Sequence, residues 1–118
     1  MSQNIVKEKS YSFALRIVRL YKFLTEEKHE YILSKQVMRS GTTIGANVKE
    51  ALQAESRGEF IHKLSIALKE ASETEYWLQL LKDAEFIDQH AFNSINADCA
   101  ELLKLLTSII KSSKQNPQ

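Results

Sequence analysis

An all-α protein, folded as an antiparallel up-down-up-down four-helix bundle, is the architecture that this sequence predicts. Glycine and proline are scarce, with three glycines and one proline in 118 residues, so the chain has few signals for strands or tight hairpins. Apolar residues recur every three or four positions in four separate segments. Short polar connections join these segments, which makes neighbouring helices antiparallel within one domain, residues 1–118.

The first predicted helix covers about residues 10–25. Its apolar stripe has helical spacing and consists of Phe13, Ile17, Leu20 and Leu24. Ser10 is a suitable N-cap, although a start near Asn4 is also compatible with the pattern. The polar residues 25–30 form the first turn.

The second predicted helix, about residues 31–54, contains Gly41 and Gly45 in its interior. Glycine inside a helix costs about 1 kcal/mol relative to alanine. Two glycines four residues apart share one helix face, where another backbone can approach closely. A weakly polar stripe lies beside that face and consists of Gln36, Ser40, Thr43 and Asn47. We therefore predict that Gly41, Gly45 and Asn47 pack against another helix or another subunit.

The third and fourth predicted helices cover about residues 57–84 and 89–112, with 113–118 as a tail. Ser56 and Glu59 have the spacing of a capping box at the start of the third helix. Asp88 is the expected N-cap of the fourth.

The third helix carries more apolar surface than one core uses. Its main stripe is Phe60, Leu64, Ala67, Ala71, Thr74, Leu78 and Leu81, and beyond it lie Ile61, Ile66, Tyr76, Trp77 and Leu80. One interpretation is a broad stripe that touches two neighbouring helices. The other is that part of this surface, Trp77 especially, packs against another subunit, since large aromatic residues are enriched at interface cores.

Charge and targeting signals exclude several classes of protein. The 16 Lys and Arg nearly balance the 15 Asp and Glu, for a net charge of +1. Residues 1–58 hold ten basic and six acidic residues, and residues 59–118 hold six and nine, so an anion-binding surface is expected on the first two helices. There is no apolar run of about 18 residues to span a membrane, and the first residues lack the apolar core of a signal peptide. With a single cysteine as well, we expect a cytoplasmic protein.

No enzyme motif is convincing. Two Glu-x-x-His pairs, Glu26 with His29 and Glu59 with His62, have the spacing of a di-iron site, but the first lies in the predicted turn and the second at a helix cap. Cys99 falls on the apolar face of the last helix, where a lone cysteine is a small hydrophobic residue. We expect no catalysis, no metal, no cofactor and no small-molecule substrate.

Basic residues on the first two helices allow a nucleic-acid surface. Arg16, Arg19 and Lys22 lie on the outward side of the first helix, and Lys35 and Arg39 are one turn apart on the second. The alternative is that these five are ordinary solvated helix residues. A ring of subunits would multiply them, and contacts to phosphate groups add through counterion release.

Five ordered blocks of sequence resemble the bacterial 23S rRNA intervening-sequence proteins, over about residues 4–110. They are residues 13–22, 33–36, 39–47, 60–71 and 73–78, beginning with Phe-Ala-Leu-Arg-Ile-Val-Arg-Leu-Tyr-Lys. The resemblance implies a four-helix bundle without assigned catalytic residues. It also implies a fold similar to that of the accessory protein of diversity-generating retroelements, a homopentamer that binds nucleic acid through basic surface residues.

Together these observations predict a non-enzymatic homo-oligomer, most simply a pentamer, whose ligand is structured RNA or DNA. The expected contacts are Arg16, Arg19, Lys22, Lys35 and Arg39. The alternative is a protein-interaction or assembly module that binds no nucleic acid.

Overall fold

The computed structural model describes residues 2–115 and places them in four α-helices. They are α1 (Ser2–Glu26), α2 (Leu33–Leu52), α3 (Arg57–Asp83) and α4 (Gln89–Gln115). Each helix packs against the next, and α4 packs back against α1, whereas no Cα of described α1 lies within 8 Å of α3 and none of α2 within 8 Å of α4. The helices thus form a closed ring, in a body of 50 × 21 × 19 Å. The predicted all-α four-helix bundle is confirmed.

Ion pairs between α1 and α4 show that these two helices run antiparallel. Arg16 contacts Asp98 at 2.8 Å, and Lys9, nearly two turns earlier on α1, contacts Glu101 at 3.1 Å, further along α4. At the same end of the bundle as Lys9, the Arg57 guanidinium donates to the carbonyl oxygen of Ser113 at 3.2 Å. The start of α3 is therefore tied to the end of α4.

The predicted start of the first helix is wrong, because α1 begins at Ser2 rather than near residue 10. Ser10 does not cap the helix: it is 1% exposed, and its hydroxyl donates to the carbonyl oxygen of Lys7 at 3.1 Å. Val6, seven residues before Phe13, is equally buried. Burial of Val6 extends the apolar stripe, and the helix, two further turns toward the N-terminus.

Three other predicted helix bounds shift by two or three residues. A carboxylate explains the start of α2 at Leu33 rather than 31, since Glu30 accepts the backbone N–H groups of Ile32, Leu33 and Ser34 at 3.1, 2.8 and 2.7 Å. These are N–H groups that a helix start leaves without intrahelical partners. Helix α2 ends at Leu52 rather than 54, and α4 continues to Gln115, so residues 113–115 of the predicted tail are helical. The rest of that tail, 116–118, lies outside the described residues.

The predicted N-caps of the third and fourth helices are confirmed. The Ser56 hydroxyl accepts the backbone N–H of Glu59 at 3.1 Å, and the Glu59 carboxylate accepts the N–H of Glu55 at 3.2 Å. The Asp88 carboxylate accepts the N–H of Ala91 at 2.8 Å at the start of α4. Each cap satisfies donors that the first helical turn would otherwise leave unpaired.

The core runs the length of the bundle and is largely aliphatic, with Phe13, Ile17, Leu24, Ile44, Leu64, Leu78, Leu102 and Leu106 fully enclosed. One polar pair interrupts it where α2 meets α3. Oγ of Ser40 and Oγ1 of Thr74 lie 2.9 Å apart and share a hydrogen bond, and both residues are 0% exposed. These small side chains let α2 and α3 approach closely without leaving a polar atom unpaired.

Candidate subunit and nucleic-acid interfaces

The glycine face of α2 lies against α1 of the same chain. A Cβ atom on Gly41 would lie 2.6 Å from Cγ1 of Ile17, and one on Gly45 would lie 3.3 Å from the backbone oxygen of Ser10. Of the two partners that the sequence allowed, a helix or a subunit, the structure places a helix at these two positions.

One residue of the polar stripe of α2, Ser40, contacts α3, where it bonds Thr74. Half-buried Asn47 bonds within its own helix, donating from Nδ2 to the carbonyl oxygen of Thr43 at 2.9 Å. Arg39, beside Ser40 in the sequence, also reaches α3, where it pairs with Glu73 at 2.7 Å. At Ser40 the stripe therefore covers a contact between two helices of the same chain.

The apolar excess of α3 divides between its own core and the surface. Trp77 is half-buried against the core, and its indole Nε1 donates to the Glu73 carboxylate at 3.1 Å. Tyr76 is 60% exposed and lies edge-on to Trp77, with ring centroids 5.0 Å apart. Ile66 and Leu80 are half-buried. We call Ile66, Tyr76, Trp77 and Leu80 the α3 patch.

A second exposed apolar region lies on α1 and was not anticipated from the sequence. Tyr11 is 67% exposed and Leu15, one turn later, is 41% exposed. Tyr11 borders a groove of about 630 Å³ between α1 and α2, whose α2 wall includes Gly45 and Ala46. We call Tyr11, Leu15 and this groove the α1–α2 patch. Its sequence signal was the pair of apolar residues four apart and off the core stripe.

Two of the five predicted nucleic-acid contacts are held by acidic residues of the same chain. Arg16 bonds the Asp98 carboxylate at 2.8 Å and the Ser94 hydroxyl at 3.0 Å. Arg39 contacts Glu70 at 3.4 Å and Glu73 at 2.7 Å. Hydrogen bonds from Trp77 and then from Arg39 hold the pKa of the Glu73 carboxyl below its usual value.

The other three predicted contacts are exposed. The side chains of Arg19, Lys22 and Lys35 make no hydrogen bond or ion pair with any other residue in 2–115. Arg19 and Lys22 belong to the last two turns of α1 and Lys35 to the first turn of α2. A short connection joins these helix ends, so the structure brings the three cations to one end of the bundle.

The sequence raised two chemical roles, a nucleophilic role for Cys99 and metal binding by the Glu-x-x-His pairs. Cys99 is buried, its thiol donates to the carbonyl oxygen of Ala71 at 3.3 Å, and burial raises its pKa to about 12. A thiol in that state is a poor nucleophile, since the thiolate is the reactive form. Within residues 2–115 there is no group of three His, Cys, Asp or Glu placed to hold a metal ion.

Comparison with known proteins identifies the family. The model of the 23S rRNA-intervening sequence protein family matches residues 2–108. The chain belongs to this family. The resemblance drawn from the five sequence blocks is therefore confirmed. No curated protein matches the chain.

A solved structure from Bacteroides thetaiotaomicron VPI-5482 is similar to this 23S rRNA-intervening sequence protein. It is the 1.70 Å crystal structure of a protein of unknown function from the S23 ribosomal protein family. The two chains are 60% identical with a TM-score of 0.93, and the match covers 94% of this chain and 99% of that one.

None of the helices in the described part of the chain is long and apolar enough to cross a membrane.

Proposed function

We propose that this chain is a non-enzymatic cytoplasmic protein that assembles with copies of itself and binds structured RNA or DNA on the assembled surface. Three exposed cations at one end of the bundle carry the proposal: Arg19, Lys22 and Lys35. The two apolar patches support the assembly. A pentamer is the ring that the family resemblance implies.

The positions of the two apolar patches favour a cyclic assembly. A ring is built head-to-tail, so each subunit needs two different surfaces, one for each neighbour. The α1–α2 patch and the α3 patch meet this need because α1 and α3 occupy diagonal positions in the bundle. Tyr76 is an exposed aromatic side chain on the α3 patch, and the groove beside Tyr11 is a recess lined by small residues. The aromatic side chain of one subunit therefore suits the recess of the next.

The exposed cations would act together only in such a ring. Three cations form a weak phosphate surface alone, but a ring repeats them at the same height on every subunit. Each phosphate that they neutralise releases counterions, so affinity falls steeply as salt rises.

A fluorescence anisotropy titration tests the nucleic-acid half of this function. The probe is a fluorescein-labelled RNA hairpin, titrated at several salt concentrations with nucleic-acid-free protein whose mass has been checked by light scattering. We expect micromolar or tighter binding that weakens steeply with salt. Changing Arg19, Lys22 and Lys35 together to Gln should reduce the salt slope by about 1 for each phosphate that is no longer neutralised. The matched control changes Lys104, Lys111 and Lys114, which are exposed on α4. Equal slopes for the two triple variants would contradict the assigned surface.

An assembly module that binds no nucleic acid is the second candidate function. The observation that favours it is that Arg16 and Arg39 are already paired with carboxylates of their own chain. In addition, Glu26 and Glu27 are exposed beside the three free cations, which makes that end of the bundle mixed in charge. A stable oligomer that binds neither the RNA hairpin nor a DNA duplex at low salt would favour this function.

A further inference from the structure

A cleft at one end of the bundle is separate from both apolar patches. It has a volume of about 930 Å³ and lies between the end of α1, the start of α4 and the loop that joins α3 to α4. Helices α1 and α4 pack less closely than the other neighbouring pairs. The loose contact between them leaves the cleft open at this end, beyond the Arg16–Asp98 ion pair.

Aromatic side chains line the apolar part of the cleft. Phe23 is 40% exposed, half-buried Leu20 lines the cleft beside it on α1, and half-buried Phe86 contributes from the loop. Exposure of a phenylalanine ring to water is unfavourable, and burial of that ring against a flat apolar group is favourable. This part of the cleft therefore fits a planar ring.

Cations lie at the rim beside these rings. Arg19 is exposed and has no acidic partner within residues 2–115. The ammonium group of Lys28 lies over the Phe23 ring, 5.8 Å from its centroid, so a planar group that stacks on this face takes the place of the ammonium. A ligand that placed a planar group on Phe23 would bring a neighbouring anionic group within reach of both cations.

Polar side chains of the α3–α4 loop and of the start of α4 narrow the class of ligand. Glu85 supplies carboxylate oxygens that accept hydrogen bonds, His90 supplies ring nitrogens, and Asp88 adds a carboxylate whose Oδ1 already accepts the N–H of Ala91. A simple anionic amphiphile has no donors for these carboxylates. A nucleobase suits both walls, because it has a flat apolar face and an edge with amino donors and ring acceptors.

From this arrangement we propose that the cleft receives one unstacked base of a single-stranded segment of RNA or DNA. The base takes the place of the Lys28 ammonium on Phe23, its edge faces Glu85 and His90, and the flanking phosphates contact Arg19 and Lys28. This inference rests on the proposed nucleic-acid function and deepens it, since it directs binding to loops, bulges and ends rather than to paired regions.

Titration of single-stranded and paired probes tests the inference. The labelled probes are a 12-nucleotide cytidine-rich RNA and a blunt duplex of the same length, each titrated with the intact oligomer. We expect the single strand to bind more tightly and Phe23→Ala to weaken it roughly 5- to 100-fold, the range for removal of one base-stacking side chain. Phe23→Trp should retain binding. The control is Tyr31→Ala, an exposed aromatic residue outside the cleft, and circular dichroism and light scattering confirm that each variant folds and assembles.

Photo-cross-linking locates the base. A probe carrying 5-iodocytidine should cross-link to Phe23 or Phe86, as read by mass spectrometry of the digested protein. Cross-links elsewhere, or equal affinity of Phe23→Ala and the unmodified protein, would overturn the cleft assignment while leaving the nucleic-acid function standing. If neither probe binds at low salt, the proposed nucleic-acid function and this inference both fail.

Discussion

Gly41 of α2 and Ile17 of α1 lie so close that position 41 has no room for a side chain. A Cβ atom there would lie 2.6 Å from Cγ1 of Ile17 and 3.0 Å from both Cδ1 and Cγ2. Ile17 is β-branched and 0% exposed, so its side chain has no free space into which to rotate. This contact fixes the separation of α1 and α2 at their midpoint.

Gly41→Ala should therefore destabilise the protein even though alanine is the better helix former. Overpacking costs about 1–3 kcal/mol, and the gain in helix propensity is at most about 1 kcal/mol. We expect a net loss of up to about 2 kcal/mol in the free energy of unfolding, measured by urea denaturation. Gly58→Ala is the control, because its Cβ would meet only the Ser56 hydroxyl at 4.0 Å. Equal stability of the two variants would show that α1 and α2 adjust freely.

Thr74→Val should destabilise the contact between α2 and α3. The substitution keeps the shape of the side chain but leaves the Ser40 hydroxyl without its partner 2.9 Å away. A buried polar group without a partner costs about 1–3 kcal/mol. Adding Ser40→Ala should recover part of that loss, since both polar groups are then absent. A double-mutant cycle in urea measures this, and strictly additive losses would show that the two hydroxyls do not interact.

Changing Tyr11 and Leu15 together to Ser should lower the mass of the assembled protein. These residues form the exposed side of the α1–α2 patch, and removal of their apolar surface weakens a head-to-tail contact. Light scattering across a concentration series measures the mass. The control changes Tyr31 and Ile32 to Ser, which removes exposed apolar residues from the α1–α2 connection, 54% and 75% exposed. If the control dissociates and the test variant does not, the interface lies elsewhere.

The Cys99 thiol should resist modification in the folded protein. Its pKa, raised to about 12 by burial, leaves almost no thiolate at pH 8, and the sulfur is enclosed between α4 and α3. With Ellman's reagent we expect slow reaction in buffer and fast reaction in guanidinium chloride. Fast reaction under native conditions would mean that α3 and α4 separate readily.

The contribution of Glu73 to the stability of the folded protein should depend on pH. Its carboxyl has a lower pKa in the folded chain than in the unfolded one, because Trp77 and Arg39 favour the ionised form. Its stabilising effect is therefore complete above the unfolded pKa and is lost as pH falls through the folded pKa. Glu73→Gln should be less stable than the parent at pH 7, with a difference that shrinks below about pH 4. Thermal unfolding across this range measures it, with Glu55→Gln, an exposed glutamate, as the control.

The sequence determined the four helices, because the period of the apolar residues requires each segment to bury one face of a helix. Local chemistry likewise determined the N-cap of α3, which Ser56 forms with Glu59, and the N-cap of α4, which Asp88 forms. A cap depends on atoms only three residues apart in the chain. The glycine spacing identified a face for close approach for the same reason. The glycine spacing did not show whether another helix or another subunit packs on that face, because spacing along one helix carries no information about its packing partner.

Tertiary structure decided what depends on neighbours distant in sequence. Arg16 and Arg39 looked like free cations, yet Asp98 is 82 residues away along the chain from the first, and Glu73 is 34 residues from the second. For Trp77 the sequence left open a contact with neighbouring helices or with another subunit, and the structure packs it, half-buried, against its own core. The cleft beside Phe23 arises where α1, α4 and a loop diverge, and no local pattern encodes such a junction. Periodicity specifies which face of a helix is buried, whereas ion pairing and concavity are set by which helices the fold brings together.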